Sequence, residues 1–437
     1  MTQNTHQTEE NWLFLYPYVH LNIKKNRAII YNTLNGALLE YNHKPGSQRN
    51  GDPELFKLLK KLADDKNLYV IKVIRSQQSA GLNQFITDLR KTFSGDYMHT
   101  ALSTKKPVQL KPRLRLQKSF QAMTFKSRLP LLLFDEIGQF LNEISLYIND
   151  ECTQACHLCR DAFKQFPFCT ADPQRKKRER ITVEDIDKLL KQAALTNLYK
   201  INVLGGNILL HPQLPQIVER LNTTNIKKDY YLSYLNAATA PAQLKVIGNS
   251  DLNTLNILVH FPFIKETFKR AIAGTRDLHC AVTFHFAIEN DGDVQLIDRL
   301  ISAYQLEEFE YKPLYNGTNI AFFKENLFIN REDISQSIPS QKDIYARMTL
   351  NTLDFKKLTL LSDKTAYANL NHKKIGTFGK DSVTELIGHE LSRGTSWLRV
   401  RKHVTPCKGC VYNALCPPIT NYEYAIGKYN LCHVDLV

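Results

Sequence analysis

Seven of the nine cysteines fall into two sets whose spacing suits iron–sulfur chemistry. Cys152, Cys156 and Cys159 form C-x3-C-x2-C directly after an alternating apolar stretch at 144–149, which brings three thiolates together at a strand end. Three sulfurs hold a four-iron cluster but leave one iron without a protein ligand. Electron-transfer clusters usually take four cysteines, so an open iron invites a small molecule to complete the site. Cys407, Cys410 and Cys416 give C-x2-C-x5-C, and Cys432 supplies a distant fourth thiolate, enough to ligate every iron of a second cluster. Structural zinc competes for both sets, since four thiolates suit it equally well, and scattered buried thiols compete for the first. The presence of both sets in one chain favours iron–sulfur. Cys169 and Cys280 belong to neither set. Cys169 lies ten residues past the loop, within reach of the mouth of such a site, although a free buried thiol is the commoner role.

The thiolates need a frame, and from 144 to about 320 the pattern alternates strand and helix. Strand segments are 144–149, 200–204, 230–236, 255–261, 282–288 and 309–313, with helices around 183–195, 263–273 and 293–304. Six such repeats imply a parallel sheet with crossover helices. In parallel barrels chemistry sits at the carboxyl ends of strands, which is where the first cysteine loop falls. Gly205 and Gly206 end the second strand and allow close approach to the backbone, with Asn207 next to them.

The cysteine triplet, the strand before it and the glycine pair one repeat later resemble the radical S-adenosylmethionine (radical SAM) superfamily, with Leu158 where that family usually has an aromatic residue. The resemblance implies an α/β fold, with a partial (β/α)6 radical SAM barrel at 141–325. It also implies a [4Fe-4S] cluster on Cys152, Cys156 and Cys159, with S-adenosyl-L-methionine chelating the open iron. Leu158, Gly205, Gly206, Asn207, Asn236 and His260 fall where the family contacts that cofactor. The family has an acid at the position of Asn207. An amide can accept from the cofactor's ammonium, but without the charge assistance that roughly doubles such a bond.

The C-terminal cysteines, including the Cys416-Pro417 step, resemble the SPASM extension of radical SAM peptide maturases, here at 326–437. The full pattern has a cysteine where this chain has Thr420, and an earlier one that 367–376 lacks, so one auxiliary [4Fe-4S] cluster is implied instead of two. Residues 1–105 read as a small α+β unit and resemble the winged-helix recognition element of enzymes acting on ribosomally synthesised peptides. A plain N-terminal extension packed on the barrel is the alternative. Residues 106–140 read as a linker. The whole resembles a maturase of the Gly-Gly-leader branch. Its implied activity is hydrogen abstraction from a precursor peptide by a 5′-deoxyadenosyl radical, giving a thioether or carbon–carbon cross-link. The implied partners are the precursor with its leader and an electron donor such as flavodoxin or ferredoxin. A catalytically degenerate partner of a true maturase is the first alternative, and an RNA-modifying radical SAM enzyme the second.

Composition bounds these readings. A chain of 437 residues is too long for one core. Its start lacks the apolar segment of a signal peptide, and no apolar run is long enough to span a bilayer. Nine cysteines without a secretion signal suit metal chemistry in a reducing cytoplasm. The net charge of +14 admits nucleic acid, membrane surface or acidic peptide. The basic run at 174–180 carries no interleaved aromatics for base stacking, which weighs against nucleic acid.

Overall fold

The computed structural model describes residues 10–42, 53–74, 79–108, 138–154, 156–170 and 179–434. Most of the 106–140 linker and most of the basic run lie outside them. Six strands open the chain: β1 (Glu10–Leu15), β2 (Val19–Lys24), β3 (Arg27–Asn32), β4 (Leu38–Asn42), β5 (Val70–Ile74) and β6 (Gly95–His99). They form two antiparallel sheets, β5-β1-β6 and β2-β3-β4. Helices Pro53–Ala63 and Ala80–Lys91 carry apolar residues at helical spacing. They bury Leu55, Leu59, Phe85 and Leu89 against Leu13, Leu15 and Ile30.

Sequence pattern misses β1 and β6, each for a local reason. β1 buries Trp12, Leu13 and Phe14's neighbour Leu15 without alternating. β6 has the composition of a turn. It pairs because Gly95 lets the backbone of β1 come close, so that a Cβ there would lie 2.4 Å from Phe14 O.

β3 is buried on both faces. Ala28 and Ile30 face the helices of the N-terminal unit. Ile29 and Tyr31, 1% and 0% exposed, pack with Ile334, Ile344, Val411, Tyr412 and Leu415 of the C-terminal region. Asn22 Nδ2 donates to Val411 O at 2.6 Å across the same junction, and Arg331 pairs with Glu40 at 2.5 Å.

The central sheet begins with β7 (Glu143–Tyr147), β8 (Lys200–Leu204), β9 (Lys227–Ser233), β10 (Asn253–Val259), β11 (Ala281–Ile288) and β12 (Phe309–Pro313). These six run parallel in sequential order. On the free side of β7 follow β13 (Lys357–Leu360), also parallel, and then β14 (Thr365–Tyr367) and β15 (Gly376–Thr377), antiparallel. β13 to β15 are too short to carry a pattern. β9 ends earlier than the expected 230–236. Ser233 Oγ accepts from Leu235 N–H at 3.2 Å and starts the short helix Tyr234–Ala237, which takes Asn236 off the strand. β10 likewise stops before His260.

A parallel sheet covered on both faces reads as a continuous apolar run. Here the strands alternate. Ile144, Leu146, Ile201, Val203, Tyr230 and Leu232 pack under the crossover helices. The other face carries Glu143, Ser145, Asn202, Asp229, Tyr231 and Asn256. Asn202 Nδ2 donates to Glu143 Oε1 at 2.6 Å and Ser145 Oγ at 3.0 Å. That face is polar toward the amino ends of the strands and apolar toward their carboxyl ends, where Tyr147, Leu204, Leu258 and Ala287 pack with Phe163 and Phe168. Among the described residues no helix is long and apolar enough to cross a membrane.

Candidate active site and four-thiolate cage

The loop after β7 is fixed mainly by backbone. Asn207 N–H donates to Glu151 O at 2.6 Å, and Asn149 Nδ2 donates to Asn207 O at 3.0 Å. Gly205 and Gly206 stand at φ +105° and +52°. A Cβ on either would meet backbone of this loop, Asn149 O at 2.4 Å and Glu151 O at 2.3 Å. The close approach that the glycines permit is therefore first of all that of the cysteine loop itself. Leu158, fully buried with Phe163 and Phe168, begins a helical turn at Leu158–Asp161 that carries Cys159. From the other side, His157 Nε2 meets Glu289 Oε1 at 3.1 Å, and Asn316 Nδ2 donates to Glu289 Oε2 at 2.6 Å. The loop is thus tied to the carboxyl ends of β8, β11 and β12.

Cys152, Cys156 and Cys159 are half-buried. The hydrogen bond with Cys159, and then burial, pushes the Cys156 thiol up; burial does the same to Cys152. Cys169 is buried behind the loop, and burial, followed by the charges of Cys159 and Cys152, raises its thiol as well. The charge of Cys159 adds to the rise at both Cys152 and Cys156, and a bound cation would relieve it, since metal binding deprotonates its ligands. Four buried atoms nearby have no hydrogen-bond partner: Asn149 Oδ1, Asn236 Oδ1 and both ring nitrogens of His260. Burial, and then the charge of His157, holds the His260 imidazole down at about 4, so it stays neutral. Buried polar groups normally find partners; these suit a small polar ligand above Cys152. Asn207 is different, because its Oδ1 already accepts from Leu209 N–H at 3.1 Å. Cys280 lies apart, in the helix-covered core.

The second cysteine set is brought together as well. Cys407, Cys410, Cys416 and Cys432 line one small cavity with Arg401. Among the described residues no three His, Cys, Asp or Glu side chains are disposed to hold a single metal ion; the four cysteines share the lining of this cavity. Burial pushes the Cys416 thiol up to about 12, and the Arg401 guanidinium acts the other way. At the start of the helix Asn421–Ile426, Thr420 N–H donates to Glu423 Oε2 at 2.5 Å. Tyr422 on that helix packs into the apolar cluster beneath Cys156, so the helix joins cage and cysteine loop.

A groove of about 320 Å³ in the N-terminal unit lies between helix Pro53–Ala63 and β5, a sheet edge. Leu55, Leu58, Ile71 and Val73 line it, and Glu54, Lys57, Lys61 and Lys72 rim it, with Lys57 paired to Glu54 and Lys72 to Glu10, each at 2.6 Å.

His157, Glu289, Arg401 and Glu423 escaped the reading by sequence. Glu289 lies 132 positions from His157, and no spacing announces the pair. Arg401 and Glu423 carried a weak signal, being charges inside a cysteine-rich segment.

No family model matches the chain. A stretch of 129 residues is 26% identical to the GTP 3',8-cyclase of Aquifex aeolicus (strain VF5), a radical SAM enzyme; it covers 30% of this chain and 38% of that relative's length. The matched stretch is thus similar to part of a radical SAM enzyme, and the structure sets the cysteine loop at the carboxyl end of the first of six parallel strands. Solved structures with an overall likeness include Streptococcus suis SuiB bound to S-adenosylmethionine, at TM-score 0.42 and 12% identity over 97% of this chain and 100% of that one. SuiB bound to precursor peptide SuiA gives 0.43 and 12% over 97% and 99%.

Proposed function

We propose that this chain modifies a ribosomally synthesised precursor peptide by radical SAM chemistry. The observation that carries the reading is the cysteine loop clamped on Gly205 and Gly206 beside the unpartnered Asn236 Oδ1 and His260 ring, in a chain whose other four clustered cysteines line one cavity. Cys152, Cys156 and Cys159 would hold the first cluster, and Cys407, Cys410, Cys416 and Cys432 one auxiliary cluster. When bound, the first cluster and S-adenosylmethionine supply the 5′-deoxyadenosyl radical that abstracts hydrogen from a substrate carbon. The protein's own work is placement. Gly205 and Gly206 seat the loop, Leu158 anchors Cys159, and Glu289 orients His157. Asn236 and neutral His260 offer hydrogen bonds to the cofactor's polar edge.

The N-terminal unit supports the peptide substrate. Its β5 edge can accept an added strand, and the groove beside it can take apolar side chains beneath a rim of three lysines, two of them paired with Glu54 and Glu10. Such a unit corresponds to a winged-helix-like recognition element, and residues 326–437 to a SPASM-like domain. Anaerobic reconstitution followed by assay of 5′-deoxyadenosine and peptide mass change tests the proposal. Cofactor cleavage with no modified peptide among candidate precursors would refute the substrate class.

Asn207 favours one other reading, a catalytically silent partner of a second maturase, because its carbonyl caps Leu209 instead of standing free for an ammonium. Absence of 5′-deoxyadenosine at full iron content would establish it. Under the catalytic reading, Asn207→Glu restores a charged partner and tightens cofactor binding by about 1 kcal/mol, roughly fivefold.

A further inference from the structure

The cage holds one charge that its four cysteines do not require. Arg401 is 8% exposed and lines the cavity with Cys407, Cys410, Cys416 and Cys432. Its Nη1 lies 3.8 Å from Cys407 Sγ and donates to Tyr429 O at 3.1 Å. Nε and Nη2 donate to Pro417 O at 2.5 Å and Pro418 O at 3.1 Å. Nη1 also meets Glu423 Oε1 at 2.6 Å. Glu423 is 1% exposed, and its other oxygen accepts from Thr420 N–H at 2.5 Å. A buried ion pair is weak evidence for stability, because the desolvation of both ions offsets most of their attraction. The carbonyl contacts could be made by a neutral donor. What a neutral side chain cannot supply is a fixed positive charge against the sulfur cage, with its negative partner bonded to the guanidinium on its own helix.

We infer that Arg401 and Glu423 are a tuning pair, positioning residues that set the reduction potential of the group held by the four cysteines. This rests on the reading of the cage as a cluster site. Reduction adds one negative charge to a buried cluster. The guanidinium stabilises that charge, and the carboxylate opposes it. Potentials of such clusters follow net charge and hydrogen bonding to their sulfurs. Arg401 therefore raises the potential and Glu423 moderates it.

The test uses the full chain with Cys152, Cys156 and Cys159 replaced by Ala, so that only the cage carries iron, in a redox titration followed by electron paramagnetic resonance. Arg401→Gln lowers the potential and Glu423→Gln raises it. Each changes the reduced-to-oxidised ratio at fixed applied potential at least tenfold, about 59 mV for a one-electron couple. Arg401→Lys, which keeps the charge, stays near the parent. Shifts of the same sign, or unchanged potentials at full iron content, overturn the inference and leave the cluster reading intact. Zinc with no redox signal in the parent overturns both. Where Arg401→Gln fails to retain iron, Glu423→Gln decides alone: an upward shift upholds the pair and no shift refutes it.

Discussion

Replacing Gly206 by Ala puts a methyl group into the backbone of the cysteine loop. The new Cβ would lie 2.3 Å from Glu151 O, 2.9 Å from Glu151 C and 3.0 Å from Asp150 C. To bring the first contact to 3.0 Å, the Glu151 carbonyl must retreat by 3.0 − 2.3 = 0.7 Å. These are backbone atoms, so no side-chain rotation relieves them, and Cys152 is the next residue. Holding Ala at φ +52° adds about 1 kcal/mol. A misplacement near 1 Å costs up to about a hundredfold in rate. The expected result is S-adenosylmethionine affinity down by about tenfold, equivalent to about 1.4 kcal/mol, with a larger loss in 5′-deoxyadenosine formation. Equilibrium binding and rate are both normalised to iron content. Gly379→Ala is the control: φ is +99° there, and nothing lies within 4 Å of the new Cβ. It carries the backbone strain without the collision, so it lowers the melting temperature and leaves cofactor binding alone. Unchanged affinity and rate in Gly206→Ala at full iron content would show that the fit between loop and glycine does not seat the cofactor.

Anaerobic reconstitution should give about eight irons per chain, and about four when Cys152, Cys156 and Cys159 are replaced by Ala; about twelve would reveal a second auxiliary cluster. Burial raises the Glu390 carboxyl from 4.5 to about 7. The folded chain therefore keeps a proton that the unfolded chain releases between those values, and stability falls as pH rises across that window, by about 3 kcal/mol at most. Glu390 accepts both Ser396 and Trp397 N–H through Oε1, so Glu390→Gln keeps these bonds and should raise the melting temperature at pH 8 but not at pH 4; equal effects at both would contradict the cause given. Leu58→Glu places a carboxylate in the groove beside β5, and should weaken precursor binding at least tenfold while sparing uncoupled cofactor cleavage. Undiminished binding would remove the groove from the recognition role.

The parts of the fold legible in the sequence are those whose period is carried locally. The strands at 200–204 and 309–313 fall where expected, and the helix expected around 183–195 runs from Val183 to Ala193 behind a Thr182–Asp185 capping box. Cysteine spacing announces that Cys407, Cys410 and Cys416 come together, because side chains on one loop are close in sequence. Contacts between distant segments leave no such trace. Tyr31 reads as one more strand residue, and only the folded chain shows it against Tyr412. Gly205 and Gly206 suggest ligand approach, yet the groups nearest them are Asn149 O and Glu151 O. Asn236 and His260 read as strand residues, but each lies just past its strand, because strand ends depend on single hydrogen bonds such as Ser233 to Leu235.

The two-sided burial of β3 bears on how this protein can be taken apart. A boundary drawn near residue 105 cuts chain connectivity in a convenient place, but the packing boundary runs elsewhere. Ile29 and Tyr31 share one apolar cluster with Cys410 and Cys416. A transplanted N-terminal unit would carry a bare hydrophobic face, and the chain left behind would lose one wall of its cysteine-lined cavity. Chimaeras that exchange this unit between related chains must therefore exchange Ile334, Ile344 and the 410–416 loop with it. The portable module is discontinuous, assembled from both ends of the chain.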